Sequence, residues 1–188
     1  MTVQAIGKPM ERQGPRRQGR LAFLFGEEAL PRALSLTAAS LARGEPVLLL
    51  DGGNSFDAYP IARAARRHGL SPEALLRRLF VSRAFTCHQM SALIREKLGS
   101  EFRRLGARKA VILNLLHTFL DEDVPEEEAC ALLQGVVEGL QGIAQEGYSI
   151  LGAEPSTQRP PLRMRALLEI VGHIPRLLTP APPALRAL

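Results

Sequence analysis

The chain has 188 residues, 46% hydrophobic and 23% charged, with two cysteines and a net charge of +5. That length supports one domain with a real core. No apolar run reaches the roughly 20 residues that a bilayer span needs, so the sequence predicts no membrane association.

Residues 1–19 are rich in Gly, Pro, Gln and Arg and have no apolar period, which predicts a flexible basic arm. The following LAFLFG is too short for the apolar segment of a signal peptide and reads as a buried strand over Leu21 to Phe25. A cytoplasmic location is therefore expected, with Cys87 and Cys130 as reduced thiols although one disulfide is arithmetically open. A helix is expected over 31–43, with Pro31 in its first turn and Leu34, Ala38 and Leu41 at helical spacing. Pro46 to Asp51 is a second strand, ended by the loop Gly52-Gly53-Asn54. Helices over about 58–68 and from Ser71-Pro72-Glu73 flank Gly69. Phe80 to Phe85 is a third strand, and Thr86 with Gln89 has capping-box spacing for a helix running to about Arg104. Ala110 to Leu115 is a fourth strand. Asp123 and Pro125 open a long helix with Glu126, Glu127 and Glu128 in its first turn and an apolar stripe from Ala129 to Ile143. Tyr148 to Ala153 is a fifth strand. The alternation predicts an α/β fold with a mostly parallel β-sheet flanked by helices. The core is expected over 20–154, followed by a proline-rich C-terminal extension over 155–188 whose LRMRALLEIV stretch suits a strand or a helix equally.

Charge is segregated along the chain. Residues 59–109 hold twelve Lys or Arg against three Glu, a balance of +9, whereas 110–154 hold nine acids and no Lys or Arg. The basic stretches read as a phosphate-binding surface or as partners neutralised by the acidic block, and charge alone leaves both open.

Within Val47 to Ala92, the residues Asp51, Phe56, Gly69, Leu70, Pro72, Val81, Arg83, Ala84, Phe85, His88, Gln89 and Met90 keep a distinctive order and spacing. This pattern resembles the archaeal RadA and eukaryotic-recombinase branch of the RecA superfamily. The resemblance implies a RecA-like core. It does not extend to the arm or the tail.

The family's ATPase parts are not matched. A P-loop needs glycines, a lysine and a Ser/Thr hydroxyl to cradle phosphates and magnesium. The corresponding junction here reads GEEALPRAL, keeping only Gly26, with Glu27 and Glu28 set to repel a triphosphate. Gly53 stands where the resemblance places a catalytic glutamate, and Asn114 where it places the magnesium-binding aspartate. The expectation is a chain without catalytic residues, cofactor or metal.

Other constellations carry less. The loop from Asp51 to Ser55 could hold a small anion or serve only as a turn. Cys87, His88, His117 and Cys130 lack zinc-site spacing. Cys87 and His88 are neighbours whose side chains are expected to diverge, which argues against a catalytic dyad. The acids from Asp121 to Glu128 read as helix capping and dipole complement. Arg12, Arg16, Arg17 and Arg20 in or beside the arm, and Arg63, Arg66 and Arg67 on a helix, are the candidate nucleic-acid contacts. The expected function is that of a non-catalytic DNA recombination or repair accessory, binding the DNA backbone, a RecA-family recombinase or both without ATP. The alternative is a regulatory or adaptor module that binds protein and no DNA. A homo-oligomer is implied by the resemblance.

Overall fold

A computed structural model describes residues 19–155 and 161–177. Within them six parallel strands form one sheet: β1 (Leu21–Phe25), β2 (Val47–Asp51), β3 (Leu79–Arg83), β4 (Lys109–Leu113), β5 (Ser149–Glu154) and β6 (Arg176–Leu177), in the spatial order β3-β2-β4-β5-β1-β6. Every pairing is parallel, so each connection must cross over a face of the sheet.

Direction of travel decides which face. The steps β1 to β2 and β2 to β3 run one way across the sheet, through α1 (Ala29–Ala42), α2 (Tyr59–Arg67) and α3 (Pro72–Leu76). The remaining steps run the other way, through α4 (Cys87–Ala92), α5 (Gly99–Leu105), α6 (Glu126–Gln145) and α7 (Leu162–Val171). A constant crossover hand then requires the two sets to lie on opposite faces. The core divides in that way. Val47 and Leu49 of β2 pack with Leu34, Leu41, Ile61 and Leu75 on one side, and Leu48 and Leu50 pack with Met90, Ile94, Phe102 and Leu133 on the other. The period-2 alternation of a strand buried on both faces explains why β2 reads as an unbroken apolar run.

Local chemistry sets the element ends. Thr86 Oγ1 accepts from the Gln89 N–H at 3.2 Å, and the Gln89 side-chain oxygen accepts from the Phe85 N–H at 2.8 Å, so a reciprocal cap forms one residue wider than the usual box. Ser71 Oγ accepts from the Ala74 N–H at 3.3 Å at the start of α3. The long α6 starts at Glu126 with no side-chain cap, while Asp121 rather than Asp123 closes the preceding turn by accepting from the Asp123 N–H at 3.0 Å. Gly152 is opposite Phe23 in the β1–β5 register, and a Cβ there would run into the Phe23 ring. The close approach of these two central strands therefore needs glycine.

The third strand ends at Arg83 rather than Phe85, and two larger departures from the sequence reading concern the helices and the end of the core. The helix from Cys87 to Leu105 is continuous but carries a π-helical turn over Leu93–Leu98 between α4 and α5. The packed unit also continues past Glu154. LRMRALLEIV is helix α7, which buries Leu167 and Val171 in the same core as α6, and the two residues of β6 extend the sheet beside β1. The expected boundary at 154 thus falls between a strand and a helix that share one core. Residues 1–18 of the arm, residues 156–160 and residues 178–188 lie outside the described residues.

Candidate functional site

Parallel α/β sheets bind ligands at the carboxyl ends of their strands, where neighbouring strands send their connections to opposite faces. Two such crevices matter here: β1–β5, where the resemblance puts a P-loop, and β2–β4, where it puts the catalytic glutamate and the magnesium ligand.

At β1–β5 only Gly26, Glu27 and Glu28 separate β1 from α1. The turn closes on itself. Gly26 donates its N–H to the Glu154 carbonyl and accepts at its own carbonyl from the Ala29 N–H, and Glu27 and Glu28 point to solvent. Beside this turn the Glu154 side chain, at the end of β5, is 4% exposed. Its Oε1 accepts from the Leu116 N–H at 3.2 Å. Burial dominates and pushes its pKa up to about 8, against the opposing backbone N–H groups of Leu116 and Leu115. The crevice is thus lined by a carboxyl group that is largely neutral at pH 7. Sequence reading missed this residue. The available signal was an acid directly after the buried strand Tyr148 to Ala153.

At β2–β4 the loop Asp51 to Ser55 folds around the Asp51 carboxylate, which is fully buried. The N–H groups of Gly53, Ser55 and Phe56 donate to it at 3.3, 3.0 and 3.0 Å, and Ser55 Oγ donates at 3.2 Å. Arg83 Nε lies 3.5 Å away. Burial alone would raise the Asp51 pKa, but these donors outweigh it and hold the carboxyl below its ordinary value. The loop's backbone donors are therefore aimed at the protein's own aspartate, which supports the turn reading over the small-anion reading.

Asn114 closes the same loop. It sits in the left-handed region with φ 52°. Its Nδ2 donates to Ser55 Oγ at 2.8 Å. Since the single Ser55 hydroxyl proton is given to Asp51, Asn114 must present its amide nitrogen there, and its buried Oδ1 has no hydrogen-bond partner. Gly53 lies directly under the Asn114 side chain, with no room for a Cβ. A side chain at 53 would run into Asn114, and a carboxylate at 114 would face Asp51 across the Ser55 hydroxyl.

The expected divergence of Cys87 and His88 is overturned. Cys87 Sγ lies 3.5 Å from His88 Nδ1, and His88 Nε2 lies 2.9 Å from Glu128 Oε1. The start of α4 lets the two neighbours turn toward each other, and α6 supplies the carboxylate. The thiol is nevertheless fully buried, and burial raises its pKa, which keeps it in the poorly nucleophilic protonated form. Both cysteines are free. Among the described residues no three His, Cys, Asp or Glu side chains gather as a metal site.

The arginines form the most open polar feature. Arg63, Arg66 and Arg67 are exposed on α2, and Arg77 and Arg78 are exposed at the end of α3. Among the described residues none of the five comes within 4 Å of a carboxylate. Direct pairing with the acidic block is thus not seen at these five among the described residues, although Arg66 and Arg77 both attract the Glu73 carboxylate. Such pairing occurs elsewhere, as in Arg103–Glu146 at 3.8 Å. Arg20 is exposed just before β1, which β5 and β4 separate from β2, so the structure does not bring it to the α2 arginines through the sheet. Arg12, Arg16 and Arg17 lie outside the described residues.

No helix among the described residues is long and apolar enough to cross a membrane. Comparison with known proteins finds no family model that matches the chain and no curated protein that does.

Proposed function

We propose that this chain is a non-catalytic, RecA-like accessory factor that binds the DNA backbone without ATP. The observation that carries the reading is the set of five exposed arginines on α2 and just after α3, none of them in an ion pair within 4 Å among the described residues, borne on a wholly parallel α/β core. Exposed arginines are the usual partners of phosphate oxygens, and such contacts supply most of the sequence-independent affinity for DNA, so the set suits backbone binding. The absence of hydrolysis is supported by the two crevices. One holds a short self-closed turn beside a buried carboxyl, and the other spends its backbone donors on Asp51. Neither offers a lysine and a Ser/Thr hydroxyl for a triphosphate and its magnesium. Fluorescence anisotropy of labelled single- and double-stranded DNA, with and without ATP and magnesium, tests the reading. Binding that ignores nucleotide is expected, and binding that requires ATP contradicts it.

A second reading, a protein-interaction module for a recombinase or another partner, is favoured by β3, which forms one edge of the sheet among the described residues. Val81 and Phe85 are 39% and 67% exposed there, and a groove of about 340 Å³ runs between β3 and the helix from Cys87 to Leu105. An edge strand beside a groove of mixed apolar and charged lining is suited to accepting an added strand.

A further inference from the structure

The exposed charge also forms two complementary patches on opposite sides of the sheet. The first is a groove of about 400 Å³ between α1 and α2, floored by Ala38, Ala64 and Leu75 and rimmed by Arg63, Arg67 and His68. No carboxylate lines it. Arg63 and Arg67 stand one helical turn apart and share a face. The second patch is the segment after β4, where Asp121, Glu122, Asp123, Glu126 and Glu127 are all exposed, as is Pro125 among them. Among the described residues none of these five acids forms an ion pair within 4 Å. Leu120 and Val124 anchor this segment against the core beneath α6, whereas the groove belongs to the core beneath α1. One copy therefore cannot close the acids onto its own groove.

We propose that a second copy of this chain seats its acidic 121–127 segment in the α1–α2 groove. Charge complementarity selects this occupant. Groove against groove would set arginine against arginine, and acid against acid is equally unfavourable, which disfavours a two-fold dimer through either patch. Groove against acidic segment is attractive, and the two surfaces lie at different places on each copy. The association is therefore head-to-tail and leaves a free groove at one end and a free acidic segment at the other. Arg63 and Arg67 are also candidate DNA contacts, so DNA and a second copy compete for them. The proposal itself does not rest on DNA binding.

The test uses the full chain without DNA, with mass measured by sedimentation equilibrium across protein concentration at low and high salt. The wild-type mass should rise above 20.5 kDa at low salt and return toward it at about 1 M salt, where the screening length falls to about 3 Å. The pair Arg63→Glu and Arg67→Glu, and separately the pair Glu122→Lys and Asp123→Lys, should each stay monomeric. Mixed together they should associate again, because one supplies the intact acidic segment and the other the intact groove, and the two reversed surfaces also attract each other. All four positions are exposed, and matching thermal melts verify folding. If the reversals perturb the fold, Arg63→Gln with Arg67→Gln should still weaken assembly at least tenfold. A wild type that stays monomeric at low salt, a variant that assembles like the wild type, or a mixture that stays monomeric would each overturn the proposal.

Discussion

Two side chains at the carboxyl edge of the sheet set the chemistry of the crevices, and both can be tested singly. Glu154 has a folded-state pKa of about 8 against an ordinary value of 4.5. The folded state therefore holds a proton that the unfolded chain has lost between those limits. Stability falls as pH rises from about 4.5 to about 8 and levels off above, a cost of several kcal/mol for so large a shift. Glu154→Gln keeps an acceptor for the Leu116 N–H but cannot ionise. The variant should be more stable than the wild type at pH 8 and should lack this decline, read from urea midpoints across pH. Parallel pH profiles would show that Glu154 is not held neutral. Asn114→Asp tests the other crevice. Aspartate tolerates the left-handed backbone nearly as well as asparagine, so the change isolates charge. Asp51 and the new carboxylate would face one Ser55 hydroxyl with a single proton. A loss of about 1–3 kcal/mol at pH 7 is expected from urea unfolding. A variant as stable as the wild type would mean that the loop has room for the magnesium ligand after all.

At the scale of elements, the edge strand β3 carries its own prediction. Val81→Lys with Phe85→Ala puts a charge on the edge and removes its largest exposed apolar group. Both sites are exposed, so stability should move by no more than about 0.5 kcal/mol. Capture of a RecA-family recombinase from the source cell should be lost if partners add a strand there, and unchanged capture would exclude that edge as the docking site. The elements themselves were largely legible. Runs such as Val47 to Leu50 read as strands because both faces are buried, and Ser71 and Thr86 announced helices through their capping oxygens. What escaped depends on contacts distant in sequence. The helix α7 is ambiguous in isolation and is fixed by packing of Leu167 and Val171 on the core shared with α6. Two-residue β6 has no pattern of its own and exists because β1 offers an edge. The Cys87–His88 contact required the particular rotation at the start of α4, and the π turn over Leu93–Leu98 leaves the apolar spacing almost unchanged. Glu154 escapes a reading of the sequence because nothing in its neighbours announces the 3-10 turn Leu116–Phe119 that covers it.

Across the whole molecule, the segregated charge seen in sequence maps to separate places. Part of the basic block is neutralised locally, as by Arg103–Glu146 and Arg104–Glu101, and part is left open on α2 and α3. The open part would suit a phosphate backbone, and neither crevice presents the paired lysine and Ser/Thr hydroxyl of a P-loop. The central claim is therefore ATP-independent backbone binding through α2. It is tested most directly by the salt dependence of DNA affinity for the wild type and for the combined variant Arg63→Ala, Arg66→Ala and Arg67→Ala, measured without nucleotide. Each phosphate contact contributes about 0.9 to the slope of log affinity against log salt on duplex DNA. The wild type should bind with a steep slope, and the triple variant should bind more weakly with a slope shallower by about three. Equal slopes for the two proteins, or no wild-type binding at low salt, would contradict the claim.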